Sequence, residues 1–275
     1  MNIRIRRTIS LTLRYIVTII ALVLFLFPIV WIFFTAFKTG DEFMHSPPIW
    51  LPHTPTLLSF ENVITAGGLK PLLNSIIIST SATMLSLFIG SLAGYGLARY
   101  KVGGHNLPFM ILSQRFMPPV VIIFPFLLFF KLLKWVDTYQ ALIIVYLTFN
   151  LPYAVWMMRG FFQEIPLEIE ESALVDGCSP FGAFLRISLP LVTPGLVATG
   201  VFCFIFSWSE FFFAVCLTRS KAVTLSVFLP LFFGRVYTLW GEVGATSVMA
   251  MVPLFLMSFV VQRYIVRGLT LGAVK

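Results

Sequence analysis

Apolar and polar residues occur in long blocks along this chain rather than in short alternation. Six apolar blocks have about the 20-residue length that a helix needs to cross the hydrocarbon core of a bilayer. Strands of a membrane barrel would be shorter and would alternate in polarity, whereas helices satisfy their backbone polar groups internally. The pattern therefore predicts an all-α membrane protein with six transmembrane helices, at 15–37, 71–98, 107–130, 139–158, 191–217 and 244–262.

The composition agrees with this pattern. The 275 residues are 59% hydrophobic and 11% charged, which excludes an ordinary soluble domain of this length. A basic amino-terminal stretch precedes the first apolar block, as it would in a secretory signal peptide. Because that block continues past Pro28 to residue 37 and lacks a small-x-small cleavage site, we expect it to be retained as the first span.

The distribution of Lys and Arg predicts the orientation. Six spans place both termini on one side of the membrane. If that side is the cytosol, the inside segments carry eleven Lys and Arg residues and the outside segments carry seven. Cytosolic segments are enriched in these residues, so we expect both termini in the cytosol. The net charge of +8 then reflects orientation and contact with the lipid bilayer, and we expect no nucleic-acid partner.

Few residues here suit catalysis or metal binding. The three cysteines and three histidines have neither metal-site nor disulfide spacing, so no metal or cofactor is expected. No phosphate-binding glycine loop ending in Lys-Ser or Lys-Thr occurs. An intramembrane enzyme would need a nucleophile with its base, or paired carboxylates, and Glu210 is the only acid expected at membrane depth. A channel subunit would show a filter-like loop or a ring of charges. Both remain alternatives to a non-catalytic transport subunit.

One polar loop, 163–190, stands out between the fourth and fifth apolar blocks. It holds five of the eleven acidic residues of the chain. Pro166 suits the first turn of a helix, and acidic residues follow where they complement the positive end of the helix. Gly177 suits the left-handed position that ends a helix, and Ser179-Pro180 suits the start of another. The loop is therefore predicted to form two short helices joined by a turn, a unit that we call the elbow.

The apolar residues of the first elbow helix do not share one face. At 100° per residue, Leu167 and Leu174 lie together, and Ile169 and Ala173 lie almost opposite. A helix that rests only on its own protein needs one apolar face. Two faces suggest a second protein as partner, although an ordinary charged cytosolic loop remains the alternative.

The spacing within the elbow matches a known signature. Glu171, Ala173 and Gly177, followed by Ile187-Ser-Leu-Pro190, resemble the "EAA" motif of permease subunits of ATP-binding-cassette importers, with Ser172 in place of the first Ala. The chain as a whole is similar to the sugar and polyol branch, of the maltose-permease type. This similarity is carried by GYGLARYKVGG (94–104), TFNLPYAVWMMRGFF (148–162), FSWSEFFFAVCLT (206–218) and RGLTLGAVK (267–275).

The resemblance implies a type I importer transmembrane domain over 1–275, in a bacterial or archaeal cytoplasmic membrane. It implies three partners, namely a second homologous permease, a dimer of cytosolic ATP-binding subunits that hydrolyses ATP, and an extracytoplasmic sugar-binding protein. The elbow would be the coupling helix, with Glu171 pairing with a basic residue of the ATPase and Gly177 allowing the turn. The coupling residues so implied are Glu170, Glu171, Ser172, Ala173, Asp176 and Gly177.

Polar residues expected within the membrane are candidates for the substrate path, because such groups usually face the interior of a bundle or a wet cavity. Amides both donate and accept hydrogen bonds, and a Trp ring can stack on a sugar face. Structural pairing is the alternative for each of them. The candidates are Asn74, Arg115, Asn150, Trp208 and Glu210.

Overall fold

The computed structural model describes residues 3–100, 102–104, 106–234 and 238–272, which leaves parts of the family-like stretches 94–104 and 267–275 outside the described residues. Within these ranges the regular structure is helical, and the single β-feature is an isolated bridge between Phe233 and Thr238. The α-helices are α1 (Ile3–Thr35), α2 (Leu58–Thr65), α3 (Leu69–Arg99), α4 (Asn106–Ser113), α5 (Pro119–Leu132), α6 (Tyr139–Gln163), α7 (Leu167–Val175), α8 (Pro180–Ala183), α9 (Leu189–Leu191), α10 (Thr193–Trp208), α11 (Phe212–Leu217), α12 (Leu225–Phe228) and α13 (Trp240–Gly272). Short 3-10 helices occur at Gly40–Glu42, Gln114–Phe116 and Leu229–Phe232, and a π-helix occurs at Phe184–Ser188.

The described residues contain four helices that are long and apolar enough to cross a membrane, or up to six when each of two bent pairs is taken as one span. The four are α1 from Leu11, α3, α6 and α13 as far as Phe259. The predicted class, an all-α membrane protein, is confirmed. The bent pairs correspond to the third and fifth predicted segments, which are not single straight helices.

The third predicted segment, 107–130, is broken in its middle. Helix α4 and the turn after it meet α5 at 86°. Met117 and Pro118 between them have extended backbones, with ψ of 126° and 129°. A residue before a proline is driven out of the helical region, and here two prolines follow one another. The break therefore comes from Pro118 and Pro119.

The fifth predicted segment, 191–217, also departs from one continuous helix. Helix α10 ends at Trp208, and after Ser209 and Glu210 the chain resumes helical structure in α11. At its other end, α10 meets the Pro180–Leu191 helices at 76°. The prolines at 190 and 194 lie on either side of this bend, as expected for residues that cannot donate the backbone hydrogen bond of a helix interior.

Contacts divide the chain into two compact units, Met1–Gly68 with Leu229–Met251 and Leu69–Phe228 with Val252–Lys275, so a single domain over 1–275 stays a prediction. In the first unit the start of α13 lies against the end of α1, where a Cβ on Gly244 would come within 2.8 Å of the backbone nitrogen of Ala36. Asn62 of α2 donates to Glu242 of α13 over 2.8 Å.

The second unit is organised around the long pairing of α3 with α6, against which α10 packs. Two glycines of α3 make this approach possible. A Cβ on Gly90 would lie 2.7 Å from the Cβ of Ala154, and one on Gly94 would lie 2.8 Å from the backbone nitrogen of Arg159. Small residues allow helices to approach closely in lipid. These two therefore serve packing within this chain. A buried apolar cluster that includes Phe130, Tyr146 and Leu217 extends the core.

Candidate coupling loop and cavity

The elbow forms as the sequence predicted, with helix α7 beginning one residue after Pro166. Its end is fixed by Gly177, which has a φ of +87°. The N–H of Gly177 donates to the carbonyl of Leu174 over 3.1 Å, and that of Cys178 donates to Ala173 over 3.0 Å. These two bonds form a Schellman motif, in which a left-handed residue satisfies the last carbonyls of a helix. Helix α8 then begins after Ser179, whose Oγ accepts from the N–H of Gly182 over 3.1 Å.

A buried ion pair joins the elbow to the end of α3. The carboxylate of Glu170 accepts from Arg99 through Nη2 over 2.7 Å and through Nε over 2.9 Å. The hydroxyl of Tyr95 donates to the same carboxylate over 2.9 Å, and that of Ser188 donates over 2.6 Å. Arg99 also donates to the carbonyl of Ile165 over 3.2 Å. We call this network of Glu170, Arg99, Tyr95 and Ser188 the latch.

The latch keeps Glu170 ionised. Burial by itself would raise the pKa of the Glu170 carboxyl, but the hydrogen bonds from Arg99 and the two hydroxyls outweigh burial and lower the pKa below its ordinary value. Both charged side chains are 8% exposed, so the pair is screened little by solvent. Among the residues the structure describes, this is the one ion pair within 4.0 Å.

Glu170 and Ala173 thus face inward, unlike the other predicted coupling residues. They are 6% and 5% exposed, whereas Glu171, Ser172, Asp176 and Gly177 are exposed. Of the six coupling residues implied by the resemblance, Glu170 and Ala173 are thus not available to another protein, whereas Glu171, Ser172, Asp176 and Gly177 stay predicted contact residues.

Of the two apolar faces predicted for α7, the one formed by Leu167 and Leu174 remains exposed. The face that rests on this chain is formed by Glu170 and Ala173, and the larger apolar side chains remain exposed. Val175, at the tip of the helix, is 87% exposed. Exposed apolar side chains that share an element with carboxylates are typical of a surface that binds another protein. These apolar residues are Leu167, Ile169, Leu174 and Val175.

A cavity of about 560 Å³ lies among α5, α6, α10 and the turn after α4. Its lining is mostly apolar, and its only charged residues are Arg115 and Glu210. Gln114, Thr148 and Ser209 add uncharged polar groups. This mixture of apolar walls and few polar groups is typical of small-molecule sites. The break at Pro118 and Pro119 places Arg115 in the wall, and the break after Trp208 places Glu210 there.

The remaining three candidates for the substrate path do not line this cavity. Asn74 is buried, and its amide donates to the carbonyls of Lys221 and Val223 over 3.0 and 2.7 Å and accepts from Tyr139 over 2.6 Å. Asn74 therefore holds the loop after α11 against α3 and α6.

Asn150 and Trp208 are likewise buried in the packing of α6 and α10. Asn150 is fully buried, and its Nδ2 donates to the hydroxyl of Ser207 over 2.7 Å. Trp208 is stacked on Phe204 with ring centroids 5.5 Å apart. The amide of Asn150 joins α6 to α10, and the buried ring of Trp208 packs along α10, so the structural alternative considered from the sequence describes both residues better.

Sequence reasoning missed most of the latch. Arg99 was counted only as an orientation charge, and Ser188 occupies the unspecified position of the Ile-x-Leu-Pro element. The signal that could have suggested a pair is that Arg99, at the end of the second apolar block, is expected on the same side of the membrane as the acidic loop at 163–190. It does not select Glu170 from the four glutamates of the loop, since that choice depends on the side of α7 that packs on α3.

Comparison with known proteins agrees with these features. Residues 86–271 match the family described as "Binding-protein-dependent transport system inner membrane component". The chain is 33% identical to the sulfoquinovosyl glycerol transport system permease protein SmoH of Agrobacterium fabrum, covering 96% of this chain and 93% of that protein. It is 34% identical to the trehalose/maltose transport system permease protein MalG of Thermococcus litoralis, covering 94% of each.

The fold is also found among solved structures. A chain of a bacterial ABC transporter involved in the import of the acidic polysaccharide alginate superposes with a TM-score of 0.79 at 24% identity, covering 96% of this chain and 99% of that one. At that identity the likeness concerns the fold alone. The family match covers most of the second unit, including the elbow and the cavity. On these grounds the chain belongs to the binding-protein-dependent transport system inner membrane components, the permease subunits of ABC transporters.

Proposed function

We propose that this chain is one of two permease subunits in an ATP-driven importer for a sugar, an oligosaccharide or a polyol. The exposed face of the elbow carries this proposal, because it presents Glu171, Asp176 and an apolar tip on a loop that an ion pair fastens to α3. The substrate class is supported by relatives such as SmoH and MalG, which are named as permeases for sugars or sugar glycosides.

In this proposal the exposed face docks onto a cytosolic ATP-binding subunit that hydrolyses the nucleotide. Closure of the ATPase dimer moves the elbow. The latch passes that movement to α3, because Glu170 and Arg99 join the two elements through hydrogen bonds of 2.7 and 2.9 Å. A binding protein delivers substrate on the opposite side of the membrane, and both termini lie in the cytosol. The chain contributes part of the path and no catalysis.

The docking is tested by Glu171→Lys and Gly177→Leu, measured as uptake of radiolabelled sugar by cells and as copurification of the ATPase. Both variants should lose uptake while the permease remains in the membrane, because one reverses a docking charge and the other places a bulky side chain at a φ of +87°. Glu164→Lys is the matched control, since it reverses an exposed charge before α7 begins. Wild-type uptake in both elbow variants would refute the proposal.

Orientation has its own test. Cys178 lies in the elbow and is half-buried, whereas Cys203 is fully buried. In a protein whose Cys203 and Cys216 are replaced by Ala, an impermeant maleimide should label Cys178 in inverted vesicles and not in intact cells. Labelling in intact cells would place the elbow outside and would exclude contact with a cytosolic ATPase.

A further inference from the structure

The two charged residues of the cavity differ in how their charges are compensated. Glu210 lies at the start of α11, where its carboxylate accepts the N–H of Phe213 over 3.0 and 3.1 Å and that of Ala214 over 3.2 Å. Backbone donors at the start of a helix stabilise a carboxylate. The negative charge of Glu210 is thus already satisfied within its own segment.

Arg115 has no such partner. Its guanidinium carbon lies 4.1 Å from the ring centre of Phe206 and 4.9 Å from that of Tyr153, so the cation is stacked on aromatic faces. Its Nη1 atom is buried and finds no hydrogen-bond acceptor in the described part of the chain. No carboxylate oxygen among the described residues lies within 4.0 Å of it. A buried donor without an acceptor is unfavourable, and a ligand that supplies the acceptor removes this penalty.

The cavity therefore holds one cation, Arg115, that has no ion-pair partner and one unpaired donor among the described residues. Its other lining residues apart from Glu210 are apolar or are the uncharged Gln114, Thr148 and Ser209. A guanidinium stacked on aromatic rings keeps the planar fork that binds carboxylate, phosphate or sulfonate oxygens. A neutral sugar would hydrogen-bond Arg115 but would leave its charge unpaired in a mostly apolar surrounding.

We propose that this cavity receives the acidic group of an anionic sugar, such as a uronate or a sulfonated sugar, and that Arg115 is its counter-ion. This inference rests on the proposed import function and narrows its substrate class. Thr148 and Ser209 lie on the same lining; their hydroxyls donate to the carbonyls of Val145 and Ile205 over 2.6 Å each and can still accept a hydrogen bond from a sugar hydroxyl.

The charge is measured with a single cysteine in the cavity. Ser209→Cys is placed in a protein with Cys178→Ser, Cys203→Ala and Cys216→Ala, assembled with its permease and ATPase partners. Its labelling rates by the anionic reagent MTSES and the cationic reagent MTSET are each divided by the rate for free 2-mercaptoethanol. A cation in the cavity attracts the anionic reagent and repels the cationic one, and an anion does the reverse. Because Glu210 directly follows Ser209, the ratio measured with both Arg115 and Glu210 present is the reference value, and its change on substitution of Arg115 is the test.

Substitution of Arg115 tests whether this residue carries the positive charge that the two reagents detect. Arg115→Gln should lower the ratio about tenfold, as expected for removal of one nearby charge in a medium less polar than water. Arg115→Lys should retain the ratio. Lys131→Gln is the control, because it removes an exposed cation of α5 that does not line the cavity. A ratio that does not respond to Arg115→Gln means that the partner subunit neutralises Arg115, and this result would overturn the proposal.

Ligand protection completes the test. Glucuronate should slow labelling of Ser209→Cys, glucose at the same concentration should not, and Arg115→Gln should abolish the difference. Equal protection by the two sugars would overturn the anionic class. Neither the labelling ratio nor the ligand protection depends on the elbow. An importer that loses uptake on Glu171→Lys, but whose labelling ratio does not respond to Arg115→Gln, would refute this inference alone.

Discussion

Breaking the latch by Glu170→Gln should uncouple the importer. The substitution keeps the shape of the side chain but leaves Arg99 buried without a counter-charge, at 8% exposure. Removing one partner of a buried ion pair is unfavourable by about 3–5 kcal/mol. The two hydroxyl donors to Glu170 also lose a charged acceptor, although Gln still offers one carbonyl. We therefore expect a loss of about 3 kcal/mol where the elbow joins α3.

The assay compares three proteins in the purified complex. Glu170→Gln should lower the midpoint of thermal unfolding and the binding-protein-stimulated ATPase activity. The double variant Arg99→Met with Glu170→Met should recover most of the thermal stability, because well-packed apolar residues often replace a buried pair at little net change. Glu168→Gln is the control, since Glu168 is exposed on the same helix. If Glu170→Gln has the same unfolding midpoint and the same stimulated ATPase activity as the wild type, the latch does not hold the elbow.

The acid dependence of the latch follows from its electrostatics. The pKa of Glu170 is lower in the folded protein than its ordinary value of 4.5. A group with a depressed folded-state pKa stabilises the fold above its unfolded pKa, and this stabilisation is lost as pH falls through the folded-state pKa. The wild type should therefore lose more stability than Glu170→Gln below about pH 4.5, and parallel acid profiles would contradict this reasoning.

Two further predictions concern packing and the loop after α11. Gly90→Ala should destabilise the protein by about 1–3 kcal/mol, because its Cβ would lie 2.7 Å from that of Ala154, whereas Gly96→Ala has nothing within 4 Å and should be neutral. Thermal unfolding compares them, and equal midpoints would contradict the packing argument. Asp137 has a φ of 63°, and its carboxylate accepts hydrogen bonds from the backbone N–H groups of residues 219–222. Burial by itself would raise the pKa of Asp137, but these donors outweigh burial and lower the pKa to about 2. Asp137→Asn tolerates this φ but loses the charge, so it should moderately increase cleavage by trypsin at Arg219 and Lys221, and Asp137→Ala should increase it more. Equal resistance to trypsin in the wild type and both variants would show that Asp137 does not hold the loop at 219–222.

The sequence determined the features that depend on local chemistry. Apolar blocks of spanning length led to the all-α membrane class, since hydrocarbon leaves the backbone no other way to satisfy its polar groups. Gly177 and Ser179 determined the turn and the second helix of the elbow, because left-handed backbone and helix capping involve only neighbouring residues. The motif spacing in the elbow likewise led to the family.

Only the tertiary structure decided how distant residues pair. Glu170 was selected from four similar glutamates because α7 turns that side chain towards Arg99, 71 positions earlier in the chain. Asn74 and Asn150 were assigned to packing because Tyr139 and Ser207 come within 2.6 and 2.7 Å of them. Arg115 and Glu210 share one cavity because breaks after α4 and α10 place both in its wall. Hydropathy and spacing along the chain carry no information on which faces of two helices meet, and that geometry decides whether a polar side chain joins helices or lines a cavity.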